Sequence, residues 1–226
     1  MQKIILILLT IALTQITGCT YLPRVYLGSD EMRGKVIDAE TKEPVKDAVV
    51  VAIWQLEGGW FQVEYTGNIA LRETTTDEKG NFVLDSWGPR VGMSGWANND
   101  GPLLIAYKKG YLFGWMESWR DMPPLWSQHI KYRPKFYTTD FITLDMKKYE
   151  GPAERFEGAL PYMGKYIGRY GDGSFRRECD WLKVPMFTSR MIEIGQLTIE
   201  SLFRSGKCGV SKAEIEDMIR SYGNAQ

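Results

Sequence analysis

Histidine is nearly missing from this chain: His129 stands alone among 226 residues. A catalytic zinc site needs several nitrogen or carboxylate ligands around an open position, so one histidine cannot supply an H-x-x-E…H set. A serine hydrolase would have to use the same His129. No G-x-S-x-G elbow accompanies it, because "GMSG" around Ser94 has Trp96 where the second glycine belongs. A charge excess is also missing. The 28 basic and 28 acidic residues give a formal net charge of +0, which argues against nucleic-acid binding. Long apolar runs are absent too. The one candidate, "IILILLTIAL" after Lys3, is shorter than the roughly 20 residues needed to cross a bilayer. Neither "DEKGN" nor "NNDG" supplies the spaced oxygens and closing glutamate of an EF-hand. Carboxylate pairs would suffice for glycoside hydrolysis, but the acids are scattered. These absences lead to the expectation of a non-enzymatic protein with no metal and no cofactor.

What the N-terminus does contain is an address. A basic residue followed by a short apolar core reads as a secretory signal over residues 1–18. Small residues Thr17 and Gly18 precede Cys19 in "ITGC". This stretch resembles the lipobox of bacterial lipoproteins. The resemblance implies cleavage before Cys19, acylation (palmitate among the chains) of that cysteine, and a lipidated tether over residues 19–31. Thr20, where inner-membrane lipoproteins often carry aspartate, resembles the outer-membrane class, facing the periplasm. Acyl chains hold a bilayer through buried CH₂ groups, about 0.8 kcal/mol each. With Cys19 acylated, Cys179 and Cys208 remain to pair in an oxidising compartment; two buried free thiols are the alternative.

The middle of the chain reads as β-structure. "MRGKVIDAETKEPVKDAVVVAIW" gives a strand, a polar turn and a second strand rich in β-branched residues. "ETTTDEKGNFVLDSW" gives a strand, a tight turn at Asp77–Gly80 and a return strand. In that return strand Phe82, Leu84 and Ser86 face the core. "PLLIAYKKGY" is a further strand with a turn at Gly110. In "DFITLDMKK" Phe141, Thr143 and Asp145 share one face and Ile142, Leu144 and Met146 the other. The spacing of Gly34, Val36, Asp38, Pro44, Ala48, Val50, Thr76, Asp77, Gly80, Phe82, Gly110 and Tyr111 resembles the carboxypeptidase regulatory-like family. That resemblance implies a mainly β fold, a seven-stranded transthyretin-like Greek-key sandwich over residues 32–149, and no transferred catalytic role. Residues 54–73 depart from the pattern as an insertion or long hairpin. Residues 88–101 and 112–139 read as long loops.

Residues 150–226 form a C-terminal helical extension in this reading. Phe187, Met191, Ile194 and Leu202 fall near helical spacing, with Pro185 at a first helical position and Gly206 as the C-terminal cap. The last helix has a Ser211–Glu214 capping box, a Val210–Ile215 staple and an apolar stripe of Ile215, Met218, Ile219 and Tyr222. The two helices are expected to pack together and lie against the sandwich, either as a partner-binding pair or as a cover over one sheet. Aromatics make up 13% of the chain. Trp87, Trp96, Trp115, Trp119 and Trp126, with Tyr107, Tyr111 and Tyr132, form the most suggestive set, and Trp96, Trp115, Trp119 and Trp126 are the candidate ligand-binding residues. Exposed aromatics stack on sugars or anchor proteins, whereas buried ones pack a loop core. "HIKYRPKFY" interleaves Lys131, Arg133 and Lys135 with aromatics. Two functions follow: an envelope lipoprotein presenting its sandwich to a protein partner, or a carbohydrate-binding accessory lipoprotein.

Overall fold

The computed structural model describes residues 24–58, 64–93, 102–116, 135–137, 141–152, 155–156, 179–203 and 208–223. Ten strands and a few short helices occur among them, so the fold is β-rich. The strands are β1 (Arg24–Ser29), β2 (Met32–Asp38), β3 (Val49–Gly58), β4 (Glu64–Thr75), β5 (Asn81–Leu84), β6 (Trp87–Met93), β7 (Leu103–Tyr107), β8 (Gly114–Met116), β9 (Lys135–Tyr137) and β10 (Phe141–Met146). They form three sheets, in the orders β10-β2-β5, β4-β3-β7-β8 and β6-β1-β9. In the first sheet β10 runs parallel to β2 and β5 antiparallel to it. The second is antiparallel throughout.

The layering follows from side-chain alternation. On β10 Ile142, Leu144 and Met146 are buried, while Phe141, Thr143 and Asp145 are exposed, because successive side chains point to opposite faces. The buried set meets Met32, Val36, Phe82 and Leu84 of its own sheet, and Val50, Ala52, Trp54, Leu104 and Ala106 of the four-stranded sheet. The intervening residues of that second sheet (Val49, Val51, Ile53, Leu71, Leu103, Ile105 and Tyr107) are buried on the opposite side, against Trp181, Val184, Phe187, Met191, Leu202 and Ile215. Hence, among the described residues, the β10-β2-β5 sheet, the four-stranded sheet and the helices stack as three layers, with the four-stranded sheet in the middle. The C-terminal helices cover its outer face, and one core runs across the boundary drawn at residue 150.

The turns are built by short polar side chains. Asp77 Oδ1 accepts the amides of Lys79 and Asn81, each at 2.8 Å, and Gly80 takes φ 73° to close the turn. Buried Thr76 donates through Oγ1 to Val45 O at 2.7 Å and accepts the Ala48 amide at 2.8 Å. It thereby ties the β2–β3 connection to the end of β4.

Of the two readings of residues 54–73, the long hairpin is the one found: β3 and β4 pair from Val49↔Thr75 out to Gly58↔Glu64. Several other expectations change. The stretch read as tether, 19–31, contains β1, which pairs with β6 and β9. The long loops 88–101 and 112–139 contain most of β6, β8 and β9. Ser86 is exposed, not core, because β5 ends at Leu84 and the chain leaves for another sheet at Trp87.

After a 3-10 turn at Asp180–Lys183 come α1 (Pro185–Glu193), α2 (Ile199–Phe203) and α3 (Lys212–Gly223). The single helix expected from Pro185 to Gly206 is therefore two, and Gly206 itself lies outside the described residues. The break is a Schellman ending: the Gln196 amide reaches Met191 O at 2.8 Å and the Gly195 amide reaches Ile192 O at 3.0 Å, with Gly195 at φ 71°. Thr198 and Ser201 then cap α2 reciprocally, Ser201 N to Thr198 Oγ1 at 3.0 Å and Thr198 N to Ser201 Oγ at 3.1 Å. On α3 the Ser211 amide donates to Glu214 Oε2 at 2.7 Å and the Glu214 amide to Ser211 Oγ at 3.3 Å, which is the expected box. Val210 and Ile215 both join the helix–sheet core. Tyr222 does not share the stripe; it is 39% exposed.

A disulfide joins Cys179 and Cys208, 29 residues apart with Cα atoms at 5.5 Å. It encloses α1 and α2 and ends just before α3. By chain entropy such a loop contributes about 3–4 kcal/mol. Reduction of the folded protein should lower its urea-unfolding free energy by about that amount; equal stability with and without reductant would contradict the role.

Candidate functional site

The candidate residues fall unevenly on this frame. Cys19, Trp96, Trp119, Trp126, Tyr132 and His129 lie outside the described residues. Trp115 sits on β8, its backbone opposite Ile105 of β7. Of the wider aromatic set, Trp87 is 5% exposed and Tyr107 1%. Trp87 meets Trp54 edge-on with ring centroids 5.5 Å apart, and Tyr107 packs on Phe113 at 5.3 Å. These two belong to the core and do not form a platform for a ligand.

Tyr111 belongs to a polar cluster where β2, the β7–β8 turn and the end of β10 converge. The Tyr111–Lys148 bridge, with Leu112 N to Lys147 O and Tyr149 N to Gly110 O, sews these segments together. At its centre Asp38 Oδ1 accepts the amides of Glu40 and Thr41 at 2.9 and 3.0 Å. Its Oδ2 accepts the Tyr111 hydroxyl at 3.2 Å, and Lys148 Nζ stands 3.6 Å away. The Thr41 and Glu40 amides, then Tyr111 and Lys148, hold the Asp38 carboxyl down at about 2 despite its burial. Burial, with the Asp38 charge adding to it, pushes the Tyr111 phenol up. The ammonium of Lys148 is also raised, by Tyr111 and then Asp38. An anion already held by this many donors is a structural clamp on the turn.

A second acid was not singled out from the sequence. Glu73 lies on β4 two residues from Leu71, on the face that meets the helices. The amides of Met186 and Phe187, in the first turn of α1, donate to its Oε1 and Oε2 at 2.9 and 3.0 Å. Burial pushes this carboxyl up to about 7, against the pull of those two amides. The available signal was an acid within an alternation whose neighbours, Leu71 and the cross-strand Val51, face a core. Nearby, Asp180 is 2% exposed; it accepts Asn68 Nδ2 at 2.7 Å and Lys183 Nζ at 2.6 Å. The β4 strand thus contributes two polar side chains, Asn68 and Glu73, that fasten the helical layer.

Among the described residues no group of three or more histidine, cysteine, aspartate or glutamate side chains is placed to hold a metal, and no described helix is long and apolar enough to cross a membrane.

No family model matches the chain, and no curated protein matches it. Among solved structures it is similar to a 3-chlorocatechol 1,2-dioxygenase from Rhodococcus opacus 1CP, at 14% identity over 54% of this chain and 61% of that one, with TM-score 0.30. It is also similar to a 9R-lipoxygenase from Cyanothece PCC8801, at 10% identity over 91% of this chain and 25% of that one, with TM-score 0.26. The chain therefore spans less than two thirds of either, and at these scores neither likeness bears on activity.

The Asp38 clamp has a definite pH sign. Its folded-state carboxyl is depressed from 3.8 to about 2, so its contribution is present above the unfolded value and is lost as pH falls through about 2. Asp38→Ala should lower the thermal midpoint at pH 6 by several degrees, with the gap to wild type narrowing steadily as pH is brought from 4 to 2. A gap that stays constant across that range would contradict the clamp.

Proposed function

We propose that this chain is a lipid-anchored, non-enzymatic envelope protein whose β-rich body serves as an interaction or scaffold module for a protein partner. The single observation carrying this reading is "ITGC" at Ile16–Cys19, placed directly after a basic residue and a short apolar core. Cys19 would be the acyl acceptor, the outer membrane the site of anchoring, and the periplasm the compartment the body faces. The Cys179–Cys208 disulfide supports an oxidising compartment.

For the body we propose a transthyretin-like, seven-stranded Greek-key sandwich of the carboxypeptidase regulatory-like kind. Two facing sheets of three and four strands support this, as do the places taken by the motif residues. Val36, Ala48, Val50 and Phe82 are core, and Asp38, Thr76, Asp77 and Tyr111 brace turns. Residues spent on turns and core leave recognition to surfaces, as expected for a module that binds rather than reacts.

Labelling cells with an alkyne palmitate analogue, followed by mass spectrometry of the mature N-terminus, tests the anchor. The expected result is an acylated chain beginning at Cys19, with Cys19→Ser losing the label and moving to the soluble fraction. A native chain that begins at Met1 and carries no acyl group would overturn the proposal. Crosslinking in native membranes should then recover a protein partner.

A further inference from the structure

The sheet-facing end of α1 is closed by one side chain. A helix leaves its first-turn amides without partners inside the helix. In α1 the first residue is Pro185, which has no N–H, and the capping residue Val184 makes no side-chain hydrogen bond. Thr188 donates to Val184 O at 2.9 Å. Only the Met186 and Phe187 amides remain, and both go to Glu73, a residue more than 110 positions away on the central sheet.

Among the described residues none supplies Glu73 with a cation. Val51 across the strand pair and Leu71 on the same face are apolar. On the 3-10 turn Asp180 and Lys183 pair with each other at 2.6 Å. At the far end of α1 Arg190 pairs with Glu193 at 2.9 Å, and Lys109 of the β7–β8 turn reaches Glu193 at 3.3 Å. On α3 Glu214 is bound to Ser211, and Asp217 pairs with Arg220. Arg72, the neighbour of Glu73 on β4, is turned to its own strand and donates to Leu71 O at 2.9 Å. Among the described residues no charged group forms an ion pair with Glu73, and no charge appears among the causes that set its carboxyl.

We propose that Glu73 is a proton-operated latch: taking one proton from solvent onto its carboxyl fastens the disulfide-tied helical layer to the central sheet, and releasing that proton loosens it. With α1 lifted, Glu73 is an ordinary hydrated carboxylate. Docking strips most of its water and offers two amides with the partial positive charge of a helix N-terminus, but no full cation, and at this site the cost of burial outweighs the two amides. The neutral acid avoids that cost and still presents an acceptor oxygen to the helix end. The direction agrees with the folded-state carboxyl being pushed from 4.5 up to about 7. Docking therefore takes up a proton between those values, so the layer is held most firmly below the lower one and less firmly as pH rises through the upper.

Hydrogen exchange on the intact, disulfide-bonded protein tests this directly, with rates converted to protection factors to remove the intrinsic effect of pH. From pH 5.5 to 8 the protection of residues 185–193 and 199–203 should fall by an order of magnitude or more, while the β2 and β10 amides change little. Glu73→Gln, permanently neutral, should show helical protection that does not vary with pH. In wild type, a Glu73 carboxyl NMR signal should titrate near neutrality, a readout that needs no variant. Helical protection in wild type that ignores pH, a fall shared equally by all sheets, or an unchanged pH response in Glu73→Gln would overturn the latch.

Discussion

The four-stranded sheet buries apolar side chains on both faces, and the β10-β2-β5 sheet on one side and the helices on the other keep water off them. Along β3 the run Val49–Trp54 is buried without interruption. Alternate residues face the three-stranded sheet on one side and the helices on the other. Seven large side chains of this sheet look toward the helical layer. At about 1.5–3 kcal/mol for each such side chain removed from water, their cover is worth on the order of 10 kcal/mol. That equals the whole net stability of an ordinary domain. The helices are thus a structural layer of the fold, although the chain reaches them only after the last strand of the three-stranded sheet.

Keeping that layer in place falls to a few long-range ties. Three short helices, the first two separated by a tight stop, have little stability of their own, because short helices are marginal in water. The disulfide reduces the freedom of the unfolded segment. Glu73 and Asn68 reach from the sheet to a helix terminus and to Asp180, and the buried faces of α1 and α3 provide the apolar contact. Of these ties Glu73 is the one whose carboxyl burial pushes up to about 7, which puts a chemically responsive group at the sheet–helix boundary.

Local features were legible in the sequence; features that need two distant segments were not. The alternation on β10, the Asp77–Gly80 turn, the capping box of α3 and the cysteine pair each express a rule acting over a few residues or an arithmetic of thiols. The helix break was legible in principle, since Gly195 sits where a Schellman stop requires positive φ, but the apolar spacing through Ile194 and Leu202 masked it. β1 escaped notice because its partners are β6 and β9, segments that read as loops. Ser86 and Tyr222 continued an apolar period beyond the point where the chain turns away. Glu73 is the instructive case. In "ETTT" it looks like a polar strand residue, and only the arrival of Met186 and Phe187 reveals it as the cap of a distant helix.

Cutting the chain after Glu150 tests most directly whether the central sheet depends on both of its covers. The shortened protein should bind an apolar dye strongly and lose cooperative unfolding, because the face bearing Val51, Ile53, Leu103 and Ile105 would lie open. A shortened chain that unfolds in one sharp transition, with stability near that of the full protein and no dye binding, would contradict the three-layer account.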